Sequence, residues 1–222
     1  FFACGMMLYS HKTPKKVLGL YGSPTIQAAI AVLLNNNSCE PENQYTMQLV
    51  ETEYMPSLPR KEPHQYQNYK PDGILKWSWF GKHQERIFSC IIILFDWSPF
   101  NDRNNFESAF TLAVEHVRSA TKSRNPKILV VLVSQKSVSK LMAERNGRLE
   151  FGFHSAGLEA CPPQFVEAAV VLRRRLELDS KQILLLQAAN QNELLDEAKR
   201  IMRAALEHSA LYIRDEAKRV KR

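Results

Sequence analysis

No run of about eighteen apolar residues occurs in this chain of 222 residues, so no segment has the length of a membrane-spanning helix. Cysteine is sparse and scattered. Cys4, Cys39, Cys90 and Cys161 form no C-x-x-C pair, which excludes a disulfide framework and a cysteine zinc site and reads as a reduced, intracellular pattern. Cys90 sits inside an apolar run, where a thiol serves as a small hydrophobe. His11, His64, His83, His116, His154 and His208 fall at no ligand spacing, and H-E-x-x-H is absent. Neither G-x-G-x-x-G nor a Walker loop is present, because Gly19 and Gly22 are the only glycines near the first strand and no lysine follows in place. No zinc finger or RNA-binding aromatic signature occurs, so nucleic acid is not an expected partner. The chain opens on Phe1-Phe2 without a methionine and reads as a piece of a longer protein.

What is present is a basic surplus concentrated at one end. The net charge is +7, and between Lys199 and Arg222 eight basic residues face three acidic ones. Arg214, Lys218 and Arg219 mark a solvated helix face that could meet an acidic protein partner or an anionic membrane surface.

The apolar pattern sets the fold. Ile91 to Phe95 and Lys127 to Val133 are apolar on both sides and β-branched, as strands covered on both faces must be. Lys16 to Tyr21 reads as a first strand, followed by Gly22-Ser23-Pro24, which supplies a turn, a cap and a proline at the first helical position. Ile26, Ala29, Ile30 and Leu33 then recur at helical spacing. Tyr45 to Glu51 is a second strand, and the proline-rich stretch from Met55 to Pro71 a long irregular loop. Phe106, Ala109, Phe110, Ala113, Val114 and Val117 trace an amphipathic helix. A short helix over Ser137 to Glu144, an inserted loop over Arg145 to Cys161, a helix from Pro163 to about Leu178 and a last strand over Gln182 to Leu186 complete the domain. Asn190 and Glu193 resemble a capping pair for a terminal helix of about 30 residues, ~45 Å long. That is longer than cover for the sheet requires, so its end is expected to join further structure. The alternation predicts an α/β, Rossmann-like, mostly parallel sheet of about five strands over residues 1–189. Residues 190–222 are then the first helix of an α-solenoid.

Chemistry in such a sheet belongs at the carboxyl ends of the strands. Those ends offer Gly22-Ser23, Asp96-Trp97, Ser134-Gln135 and Gln187-Ala188, of which only Asp96 ionises, and a lone carboxylate in a turn is usually a cap. Ser155, with Asp196 and His208, has the chain order of a hydrolase triad but lacks both the glycine two residues upstream and the preceding strand of a nucleophile elbow. The aromatic cluster Trp77, Trp79 and Phe80 is a candidate for packing the sheet edge or for binding a partner. No catalytic, cofactor-binding or metal site is expected. The alternative reading is a nucleotide-binding or NAD-cleaving enzyme of the TIR-like α/β architecture.

Three groups of residues carry a family resemblance. The first is Tyr66-x-x-Tyr69-x-Pro71-x-Gly73-Ile74-Leu75-Lys76 with Trp79, Lys82 and His83 and the apolar strand beyond. The second is Arg124-Asn125 with Lys127, Val130-Val131-Leu132 and Gln135-Lys136, and the third Tyr212 with Arg219-Val220-Lys221. In this order they resemble the N-terminal region of the subunit 11 family of the trafficking protein particle (TRAPP) complex, the foie gras family, with Arg145 to Cys161 as an insertion. The resemblance implies a non-catalytic scaffold subunit without a cofactor. It would work in a membrane-tethering and Rab guanine-nucleotide-exchange assembly serving ER-to-Golgi vesicle transport and autophagy. Its implied partners are other TRAPP subunits, with a Rab GTPase met only through the core. The implied location is cytoplasmic, peripheral at Golgi and ER–Golgi intermediate membranes, and an α-solenoid would follow the domain.

Overall fold

The computed structural model describes residues 16–36, 45–49, 88–120, 125–145, 148–151 and 157–220. The elements in order are β1 (Lys16–Tyr21), α1 (Pro24–Asn36), β2 (Tyr45–Leu49), β3 (Cys90–Asp96), α2 (Arg103–Ala120), β4 (Lys127–Val133) and α3 (Gln135–Leu141). There follow β5 (Met142–Arg145), β6 (Arg148–Phe151), α4 (Pro163–Arg175), β7 (Ile183–Leu185) and α5 (Gln191–Val220). The main sheet has the order β2-β1-β3-β4-β7, with every neighbouring pair parallel. This is a doubly wound α/β order whose direction of growth reverses between β1 and β3.

The two-sided apolar runs are explained by what lies on each face. Cys90, Ile92 and Leu94 of β3 and Leu129, Val131 and Val133 of β4 pack with α1, α3 and α5. The alternate residues Ile91, Ile93, Phe95, Ile128, Val130 and Leu132 pack with α2 and α4. On that second face Phe106 stacks on Phe165 at 4.7 Å between ring centroids and meets Phe95 edge-on at 5.4 Å, which locks α2 and α4 over β3. Each large side chain buried here contributes about 1.5–3 kcal/mol.

The expected loop over Arg145 to Cys161 is corrected in part. Met142–Arg145 and Arg148–Phe151 pair as an antiparallel hairpin separate from the main sheet. Beyond it the Leu158 N–H bonds the Ala188 carbonyl at 2.7 Å. Gly157 permits that approach, since a Cβ there would lie 2.3 Å from the same carbonyl oxygen. α3 starts two residues earlier than expected and ends at Leu141, and α4 stops at Arg175 rather than near Leu178. The end of α4 is a Schellman turn. Glu177 adopts φ 50°, its N–H reaches the Arg174 carbonyl, and the Leu178 N–H reaches that of Arg173 at 2.9 Å.

α5 begins as the sequence predicts: the Glu193 N–H donates to Asn190 Oδ1 at 3.0 Å, and Glu193 reaches back to the Ala189 N–H at 2.7 Å. Its stripe from Leu194 to Ala205 belongs to the same core as α1 and the strands. Further along, Ser209 bonds Ser89, whose hydroxyl also donates to the Val17 carbonyl at 2.9 Å, tying the helix to the starts of β1 and β3. Tyr212 is buried, and Asp215 still pairs with Lys127 at 3.2 Å. The helix therefore covers the sheet for most of its length, and only the last turn or so runs past it.

Candidate functional site

At the strand tips Ser23, Asp96, Ser134 and Gln135 are held by hydrogen bonds to their neighbours. Asp96 Oδ1, at the end of β3, accepts from the Ser98 N–H at 3.0 Å, the Ser98 hydroxyl at 2.7 Å and the Gln135 N–H at 2.9 Å. It thus turns the chain after β3 and caps the start of α3. Gln135 extends the link in the other direction, its Oε1 accepting from the Ser23 hydroxyl at 2.8 Å. Ser23 closes the first turn of α1 through its carbonyl, which takes the Gln27 N–H at 2.9 Å. Ser134 caps α3 from the tip of β4, its Oγ accepting from the Ser137 N–H at 3.2 Å. The tips of β1, β3 and β4 are stitched together by side chains acting as caps.

At the β1/β3 reversal, where a ligand would sit in this architecture, the chain leaving β1 runs close beside β3. A Cβ on Gly22 would lie 2.8 Å from the Leu94 carbonyl oxygen, so β1 turns directly against β3. Trp97 is buried beside this point in the aromatic core. Among the described residues no group of three or more His, Cys, Asp or Glu side chains is placed to hold a metal ion.

The triad residues do not meet. Ser155 lies outside the described residues. Asp196 is exposed and bonds Lys199, whereas His208 is buried; twelve residues of helix put them about 18 Å apart along the axis of α5. Burial pushes the thiols of Cys90 and Cys161 up to about 12, so neither is an activated nucleophile.

Two candidate partner surfaces stand differently. Trp77, Trp79 and Phe80 lie outside the described residues. Arg214, Lys218 and Arg219 are exposed on the last turns of α5, where Arg219 pairs with Glu216 at 2.8 Å. A third surface was not legible in the sequence. A groove of about 350 Å³ runs along β7 between α4 and α5, lined by Val166, Val170, Arg173, Ile183, Leu185 and Arg200 among others. Only the strand order reveals it, because nothing in the residues Ile183-Leu184-Leu185 says that they form an edge. No helix among the described residues is long and apolar enough to cross a membrane.

Comparison with known proteins bears on the same residues. Residues 67–167, from the aromatic cluster through β3, α2 and β4 into α4, match the family model of the trafficking protein particle complex subunit 11 N-terminal domain. Subunit 11 of cattle and of human are each 30% identical over 87 residues, covering 38% of this chain and 7% of the relative. The chicken protein is 32% identical over 74 residues, covering 32% of this chain and 6% of its own. The chain thus spans a small fraction of the length of these relatives. By sequence, residues 67–167 are similar to the trafficking protein particle complex subunit 11 N-terminal domain.

Proposed function

We propose that this chain is a non-catalytic structural piece of a TRAPP-type membrane-tethering complex acting in vesicle transport between ER and Golgi and in autophagy. The match of residues 67–167 to the subunit 11 N-terminal domain carries this reading. The strand tips support it, because their hydroxyl, amide and carboxylate groups cap turns and helices. In this proposal the domain is a rigid mount. Trp77, Trp79 and Phe80 hold or present one contact, and the basic end of α5, with Arg214, Lys218 and Arg219, presents another to a neighbouring subunit or an anionic membrane. α5 then serves twice, as cover for the sheet and as the first helix of a following solenoid. Rab exchange belongs to the core subunits, and location at Golgi and ER–Golgi intermediate membranes follows from the assembly.

The test is co-purification of TRAPP subunits with the tagged chain in cells. The account expects them to be recovered. If Trp79→Ala folds normally and loses them, Trp79 is a contact residue; if it costs about 3 kcal/mol or more, it is core. Failure of the unaltered chain to recover any TRAPP subunit contradicts the proposal.

A further inference from the structure

Among the described residues β7 is the last strand on its side of the sheet, and it is unlike most edges. Edge strands are commonly blunted with lysine, proline or a bulge. This one reads Ile183-Leu184-Leu185, carries no charge, and is only half-buried. Its register with β4, together with the bond from the Leu186 N–H to the Leu132 carbonyl at 2.9 Å, turns the amide groups of residues 184 and 186 inward. By the alternation of a strand, the Ile183 carbonyl and both polar groups of Leu185 face outward into the groove. One of these is already taken: Arg200 of α5 donates to the Leu185 carbonyl at 2.9 Å.

That bond favours one direction of addition. An antiparallel strand would need the N–H and the carbonyl of Leu185 together, and would have to share that carbonyl with Arg200 or displace it. A parallel strand needs the Ile183 carbonyl and the Leu185 N–H, one to each side of Leu184, and both face the groove. The walls set the side chains. Leu184 points to the α5 face, and Ile183 and Leu185 to the α4 face, where Val166 and the 45%-exposed Val170 stand with Arg173. Arg173, Arg174 and Arg175 take part in none of the ion pairs formed among the described residues. Glu197, on the opposite wall, is already paired with Arg200.

We propose that this edge receives an extended segment of a partner protein, which adds as a parallel strand beside β7. On the α4 face of that segment apolar residues sit on Val166 and Val170, and acidic residues two positions along the strand, on the same face, reach Arg173. This does not depend on the assembly proposed above, and either can fail alone.

The probe is the eight-residue peptide Glu-Thr-Glu-Thr-Val-Thr-Val-Thr, whose glutamates and valines share one face of a strand, titrated into the 15N-labelled chain to millimolar concentration, beside the same peptide with lysine in place of glutamate. The proposal expects saturable shifts centred on the amides of Leu184 to Leu186, Val170 and Arg173, for the acidic peptide only. Leu185→Pro removes the outward N–H while sparing the ladder to β4, and should weaken the peptide about tenfold. Val170→Glu, at a position already exposed, should do so without unfolding the chain. Absence of shifts at β7, equal binding of both peptides, or unchanged affinity in a folded Leu185→Pro chain overturns the proposal. Self-association that Val170→Glu abolishes also overturns it, by assigning the edge to a second copy.

Discussion

At the scale of single residues, the structure shows where local conformation and charge are strained or spent. Glu177 ends α4 in the left-handed region, φ 50°, which costs a residue with a Cβ about 1 kcal/mol or more. Its side chain is exposed, so Glu177→Gly removes that cost and loses little else. The expected result is a gain of about 0.5–1 kcal/mol in urea denaturation, with unchanged slope. Two aspartates set an acid-side dependence. The Ser180 N–H holds Asp179 below the usual carboxylate value, and the hydrogen bond from Lys127 does the same for Asp215. A carboxyl lowered on folding binds protons more tightly unfolded. Its contribution is therefore complete above the unfolded value and is lost as pH falls through the lowered one. Both groups are exposed and screened, so the effect is small. Asp215→Asn should lower stability slightly at neutral pH and leave it unchanged near pH 2, so that the loss between about pH 5 and pH 2 shrinks by that small amount, as read from urea midpoints across that range.

At the scale of elements, legibility in the sequence followed burial. β3 and β4 were readable because strands covered on both faces cannot carry polar residues, and α2 because its six buried positions repeat at helical spacing. The α5 cap was readable because Asn190 and Glu193 stand at the required separation. The hairpin of β5 and β6 was not read, although Asn146-Gly147 between its strands is the strongest short-range hairpin signal a sequence offers. Arg148 to Phe151 alternates polar and apolar residues but Met142 to Arg145 does not, and each strand is only four residues long. Strand order was beyond reach, since β1 pairs with both β2 and β3 and nothing local chooses between neighbours. The groove beside β7 was hidden with it. The length of α5 was read correctly, but much of the supposed overhang covers β1, β3 and the start of β4. Ending the chain after Asp215 should therefore leave thermal stability nearly intact. Ending it after Glu207 removes Ser209 and Tyr212 from the sheet and should cost about 3 kcal/mol or more, measured by denaturant unfolding.

At the scale of the whole molecule, the domain keeps the architecture of nucleotide-binding sheets while its tips are occupied by their own caps. Asp96, Ser23 and Gln135 are what a ligand would meet, and each is engaged by a neighbour across the tips. This arrangement suits a rigid mount for neighbouring chains, and it separates the account from that of an enzyme sharing the fold. The direct measurement is the melting temperature of the chain with NAD, ATP or GTP at millimolar concentration. The account predicts no shift with any of the three. A ligand-dependent rise, worth about 2.7 kcal/mol at a hundredfold excess over the dissociation constant, would show that the strand tips hold a nucleotide and would contradict it.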